Sequence, residues 1–90
     1  MPSREVEIVN KLGFHLRAAA AFVQQAEAFP CKITVRREDG QRANGKSILS
    51  ILALGAPNGV KVVVETNGER ADEALETLAG FISNRFGEAE

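Results

Sequence analysis

The segment Arg4-Glu5-Val6-Glu7-Ile8-Val9-Asn10-Lys11-Leu12-Gly13-Phe14-His15-Leu16-Arg17-Ala18-Ala19-Ala20-Ala21-Phe22-Val23 changes its hydrophobic period part-way along. From Arg4 to Val9 it alternates, with Val6 and Ile8 on one side and Glu5 and Glu7 on the other. That is the period of a half-buried strand. Asn10 to Gly13 breaks the alternation. From Leu16 to about Ala28 the residues Ala19, Phe22, Val23, Ala26 and Phe29 fall at i, i+3, i+4, i+7 and i+10, the stripe of an amphipathic helix. Pro30 stops it. A strand therefore feeds a helix, and His15, the only histidine, stands at the junction.

The junction has chemistry of its own. The first turn of a helix carries backbone N–H groups without intrahelical partners and the positive end of the helix dipole. An anion is stabilised there. Arg17 adds a planar guanidinium that can grip phosphate oxygens in a fork. An imidazole, with an ordinary pKa of about 6.5, is a good nucleophile near neutral pH. Together these parts suit a histidine that takes a phosphoryl group while the helix end holds it. A histidine at a helix start also suits a plain capping or surface role, and the local pattern leaves both open.

Further along, Cys31 to Arg37 alternates again, with Cys31, Ile33 and Val35 inward. Asp39-Gly40 is a hairpin signal, and a short return strand follows at about Gln41 to Ala43. Ser47 is placed as the N-cap of a short, very apolar helix holding Ile48, Leu49, Ile51, Leu52 and Leu54. Val60 to Thr66 reads as the last strand, and Asn67-Gly68 turns the chain. Ala71, Ala74, Leu75, Leu78, Ile82 and Phe86 outline a final helix, weakened at Gly80 and ended near Gly87. The order is strand, helix, strand, strand, helix, strand, helix. Every strand has one clean apolar face, which suits an antiparallel sheet packed on one side and wet on the other. The expected fold is α+β in two layers.

Ninety residues suit one domain, and 1–90 is read as a single domain with one small core. A net charge of −1 gives no global field for nucleic acid. Cys31, the only cysteine, cannot form an intramolecular disulfide, which agrees with a reducing cytoplasm. One Cys and one His make no closed metal site. No apolar run approaches the roughly 20 residues of a membrane span. The expectation is a cytoplasmic monomer without metal or cofactor, bound to neither nucleic acid nor membrane.

Two motifs carry a family resemblance. Gly13-Phe14-His15-Leu16-Arg17-Ala18-Ala19 resembles the active-site motif of the HPr phosphocarriers of the bacterial phosphoenolpyruvate-dependent sugar phosphotransferase system, which usually reads Gly-Leu-His-Ala-Arg-Pro-Ala. Asn44-Gly45-Lys46-Ser47-Ile48-Leu49 resembles the family's second motif, around its regulatory serine. The resemblance runs from about Arg4 to Phe86. It implies an open-faced β-sandwich, four antiparallel strands covered on one face by three helices in the order βαββαβα. It implies that His15 takes a phosphoryl group on Nδ1 from enzyme I and passes it to enzyme IIA components, with Arg17 assisting the phosphate. The protein would then be a carrier, itself a substrate of enzyme I, and not an enzyme. Ala18 stands where the family usually has proline, keeping a backbone N–H that proline lacks. Phe14 and Leu16 replace the common leucine and alanine.

Ser47 has two compatible roles. One is a helix cap worth about 1 kcal/mol. The other, implied by the resemblance, is phosphorylation by an HPr kinase/phosphorylase, with a transcriptional regulator as a further partner. The resemblance also implies a docking surface from Phe14, Leu16, Ala18, Lys46, Ile48, Leu49 and Leu52, although an apolar helical set such as the last three serves equally as core. Two rival functions remain. One is a regulatory docking module of the same fold that acts on transcription factors or kinases without sugar transport. The other is an unrelated α+β ligand-binding or catalytic domain, for which the sequence offers no clustered polar groups.

Overall fold

The computed structural model describes residues 2–89. The chain runs β1 (Ser3–Glu7), α1 (Leu16–Ala26), β2 (Lys32–Arg37), β3 (Arg42–Asn44), α2 (Ile48–Leu54), β4 (Lys61–Asn67) and α3 (Ala71–Ser83), followed by a tight turn at Arg85–Gly87. Alternation in the strands decides the sheet. Val6, Ile33, Val35, Ala43, Val62, Val64 and Thr66 are buried, while their neighbours along each strand are half-buried or exposed. The four strands form one sheet in the order β1-β4-β2-β3. All pairings are antiparallel, with Val6 opposite Val62 and Val35 opposite both Val64 and Ala43.

The helices cover the apolar face. α3 lies against β1 and β4, α2 lies against β3, and α1 packs beside α2 and α3. Ala18, Ala19, Phe22, Val23 and Ala26 are the buried stripe of α1, and Ala71, Ala74, Leu75, Leu78, Ala79 and Ile82 that of α3. The open face keeps polar groups. There Glu65 lies between Arg36, 3.5 Å away, and Arg42, 3.9 Å away. This is the open-faced, four-stranded α+β sandwich that the two motifs implied.

Element ends differ from the sequence pattern in ways that follow from hydrogen bonding. The first strand closes at Glu7, and Ile8 continues through loop bonds, donating to the Val60 carbonyl at 2.9 Å and accepting from the Gly59 amide at 2.8 Å. α1 stops at Ala26, and the amides of Ala28 and Phe29 turn onto the carbonyls of Gln25 and Ala26. The larger departure is at the far end. The apolar pattern carries α3 to Phe86, but the helix closes at Ser83. Arg85 and Phe86 then take left-handed conformations, with φ of 58° and 55°. Phe86 reaches the core by this turn and not by helical spacing. Its ring lies 4.8 Å from that of Phe14 and 5.7 Å from that of Phe81.

Arg37 closes the end of α2. Its Nη1 donates to the carbonyls of Leu54 at 2.8 Å and Gly55 at 3.0 Å, which satisfies groups that a helix C-terminus leaves bare.

Candidate functional site

The loop from Asn10 to His15 is built tightly before it offers anything to a ligand. Asn10 is fully buried, and its Nδ2 donates to the Gly13 carbonyl at 2.7 Å. The Gly13 amide returns to the Asn10 carbonyl at 3.2 Å. Gly13 has a φ of 66°, and a Cβ there would sit 2.7 Å from Pro57 Cα and 2.8 Å from the Ala56 carbonyl oxygen. Only glycine fits such a backbone approach. The next amide, that of Phe14, donates to the Ala56 carbonyl at 2.9 Å. Phe14 then points inward, its ring 5.4 Å from Phe22 in an edge-to-face pair.

His15 follows as the N-cap of α1, in extended backbone conformation. Its carbonyl accepts from the Ala19 amide at 2.8 Å, so the helix starts without strain. Its side chain makes no cap hydrogen bond. Among the described residues, the amides of Leu16, Arg17 and Ala18 therefore remain the bare donors of the first turn. The ring is one quarter exposed, neither sealed in the core nor loose on the surface. Its Nε2 lies 2.6 Å from Oε2 of Glu88. The other oxygen of Glu88, Oε1, accepts from Asn10 Nδ2 at 3.0 Å. Nδ1 makes no side-chain hydrogen bond among the described residues. The ring opens onto a concave surface lined by Lys11, Leu12, Leu16, Arg17 and Glu88. Arg17 is exposed and makes no ion pair among the described residues, so its guanidinium is available to an anion.

A family model described as "PTS HPr component phosphorylation site" matches residues 2–84. The chain belongs to the HPr family. The phosphocarrier protein HPr of Pseudomonas aeruginosa is 46% identical over 90 residues, covering 100% of each chain. The crystal structure of HPr-C-His from Thermoanaerobacter tengcongensis superposes with a TM-score of 0.93 at 38% identity, again covering 100% of both chains. A Bacillus subtilis protein, Crh, described as a catabolite-repression protein and as an intertwined, domain-swapped dimer, superposes with a TM-score of 0.76 at 35% identity, covering 94% of this chain and 97% of that one.

The HPr fold sorts the other residues singled out in the sequence. Ser47 caps α2, its Oγ accepting from the Ser50 amide at 3.2 Å, and it is half-buried. Gly45 lies against β2, where a Cβ would collide with Ile33 Cγ2. The docking set divides. Phe14 and Ala18, read from the sequence as partner contacts, are buried with 5% and 1% exposure, so their side chains are core. The cause is geometric: Gly13 turns Phe14 inward, and Ala18 falls on the apolar stripe of α1. Leu16 and Leu49 are exposed, Leu49 by 80%. Ile48 and Leu52 are half-buried against the core. Lys46 is also half-buried, its Nζ donating to the Phe29 carbonyl at 2.6 Å, so one of its three donors is spent within the chain. Of this set only Leu16 lines the His15 concavity.

Sequence reasoning passed over Glu88, Asn10 and Leu12. Glu88 carries no local signal, because its place depends on the left-handed turn at Arg85 and Phe86. Asn10 read only as a strand breaker. Leu12 is exposed by 67% at the rim of the concavity and breaks no pattern in the sequence.

Proposed function

We propose that this chain, a single HPr domain over residues 1–90, carries phosphoryl groups in the cytoplasm. Enzyme I phosphorylates Nδ1 of His15 at the expense of phosphoenolpyruvate, and enzyme IIA components take the group onward. The chain is a substrate of that relay and not a catalyst. The observation that carries this reading is the disposition of His15, whose Nε2 is occupied by Glu88 while Nδ1 has no hydrogen-bond partner among the described residues at the mouth of α1. The bare amides of the first turn and the guanidinium of Arg17 support it, since both favour the negative charge of a phosphoryl group. A part-exposed ring suits a relay, because both donor and acceptor proteins must reach it. Leu16, Leu49, Ile48 and Leu52 with Lys46 at the edge form the docking surface, modest in area as fast release requires. The carrier acts as a monomer.

The test is phosphoenolpyruvate with purified enzyme I. The parent chain gains one acid-labile phosphate, and His15→Ala gains none while keeping its fold. Normal labelling of His15→Ala overturns the reading.

Ser47 is proposed as a second, regulatory acceptor for an HPr kinase/phosphorylase using ATP, with a transcriptional regulator as the reader of the modified form. Its half-exposed hydroxyl and its place in the second motif support this. Acid-stable phosphate on Ser47, mapped by mass spectrometry after incubation with such a kinase, is the expected result. Its absence removes the regulatory role.

The likeness to Crh, described as a catabolite-repression protein, favours one alternative, a regulatory docking module that controls transcription factors or kinases without sugar transport. Labelling of Ser47 with no labelling of His15 by enzyme I selects it.

A further inference from the structure

We propose that Glu88 is a positioning residue for phosphoryl transfer, its carboxylate holding the Nε2–H of His15 so that Nδ1 presents a lone pair. This deepens the reading of His15 as the acceptor and rests on it. A carboxylate only accepts hydrogen bonds, so the 2.6 Å contact between Oε2 and Nε2 places the ring proton on Nε2. In the neutral ring the other nitrogen is then bare. A buried or half-buried carboxylate on one imidazole nitrogen is a general means of fixing both tautomer and ring orientation.

The contact is constructed from several sides. Asn10, itself fully buried, donates to the second carboxylate oxygen at 3.0 Å and to the Gly13 carbonyl at 2.7 Å. Glu88 side-chain exposure is 19%, so the acid is shielded where it meets the ring. The tail is brought there by two left-handed residues, Arg85 and Phe86, a conformation that L-residues adopt only when something compensates. What compensates is the ring of Phe86 against Phe14, the residue immediately before His15. The stacking that draws the tail in and the loop that presents the histidine therefore share one contact.

In the transfer, the Nδ1 lone pair forms a bond to phosphorus. The bond between phosphorus and the donor protein's group breaks, and its electron pair leaves with that group. The proton stays on Nε2, so the ring becomes cationic, and Glu88 is the adjacent negative charge. On delivery the Nδ1–P bond breaks toward Nδ1, and the neutral ring returns in the same tautomer. No other reactant is needed.

The experiment compares the full-length parent, Glu88→Ala and Glu88→Gln by single-turnover uptake of phosphate from phosphorylated enzyme I and by 15N NMR of the His15 ring. The parent ring is protonated on Nε2. Glu88→Ala admits the Nδ1–H form and lowers the maximal uptake rate about tenfold with an unchanged KM for the chain. Glu88→Gln, whose amide oxygen still accepts the hydrogen, restores the tautomer but only part of the rate, because the charge is missing. Parent-like rate and tautomer in Glu88→Ala overturn the proposal. So does a loss confined to KM, which would make Glu88 a docking residue, or a faster uptake, which would make it an obstruction. Should the alanine variant unfold, the glutamine variant decides by the same two readouts. Failure of His15 to label in the parent counts against the acceptor reading instead, so the two are separable.

Discussion

Nε2 of His15 and Oε2 of Glu88 lie 2.6 Å apart across 73 positions of sequence. The bond joins the mouth of the first helix to the tail, and it depends on packing at Phe86. That dependence yields a first prediction. Phe86→Ala removes a buried ring that touches Phe14 and Phe81. The cost to stability should be about 3–5 kcal/mol. The tail should loosen with it, so hydrogen exchange at the Glu88 amide, which bonds the Arg85 carbonyl at 2.9 Å, should accelerate more than global unfolding explains. A stability loss below about 1 kcal/mol, the size of an ordinary surface change, would show that the turn holds itself.

Gly13→Ala tests the loop. The added Cβ meets backbone atoms of Pro57 and Ala56, which cannot rotate away, and the φ of 66° penalises any side chain. Denaturant unfolding should show a loss of about 2 kcal/mol or more. Gly80→Ala is the control. It lies inside α3 with nothing near its Cβ position, and it should stabilise by up to about 1 kcal/mol.

Leu49 and Ile51, two positions apart, should behave in opposite ways. Ile51 is fully buried and Leu49 is 80% exposed. Ile51→Ala should cost about 2–5 kcal/mol in chemical denaturation. Leu49→Ser should change stability by less than about 0.5 kcal/mol and weaken binding to a partner protein, measured by calorimetry. Unchanged partner affinity for Leu49→Ser would remove Leu49 from the docking surface.

Ser47→Ala should lose about 1 kcal/mol of stability through the missing bond to the Ser50 amide. Ser47→Asp keeps an acceptor at the cap and should lose less. Equal losses in thermal unfolding would mean the cap contributes nothing.

Acid stability has a local probe at the start of α3. Arg70 donates to both oxygens of Glu73, from Nε at 3.0 Å and from Nη2 at 2.8 Å. The hydrogen bond and charge of Arg70 hold the Glu73 carboxyl below its ordinary range and raise the guanidinium in turn. A depressed carboxyl pKa means that the unfolded chain binds the proton more readily. Its contribution is therefore present above the unfolded value of about 4.3 and fades as the pH falls through the lower folded value. The stability difference between the parent and Glu73→Gln should be level from pH 7 to about 5 and shrink below about 4.3, where the unfolded carboxyl protonates. The pair is exposed to solvent, so the difference is small and screened by salt. A difference that grows on acidification would reverse the assigned sign.

Much of the architecture was legible because its signals are local. The change of period between Val9 and Leu16, the Asp39-Gly40 hairpin and the Ser47 cap each rest on residues adjacent in the chain, and each element formed within a few positions of its pattern. His15 at the helix mouth was legible for the same reason. The direction of Phe14 was not, because an aromatic residue beside His15 suits a docking surface and a core equally until the backbone of Gly13 is known.

By itself, then, the sequence determined the order of strands and helices, the apolar face of each, and the placing of His15 at the mouth of α1 with Arg17 in its first turn. These follow from hydrophobic period, turn chemistry and capping, which act over a few residues. The tertiary structure alone decided that Glu88 faces His15, that Asn10 links Glu88 to the Gly13 loop, and that Phe14 and Ala18 lie inside. The place of Glu88 requires the left-handed turn after Ser83, where Phe86 packs against Phe14 and Phe81, whereas Phe14 is turned inward at Gly13 and Ala18 is buried with the apolar stripe of α1.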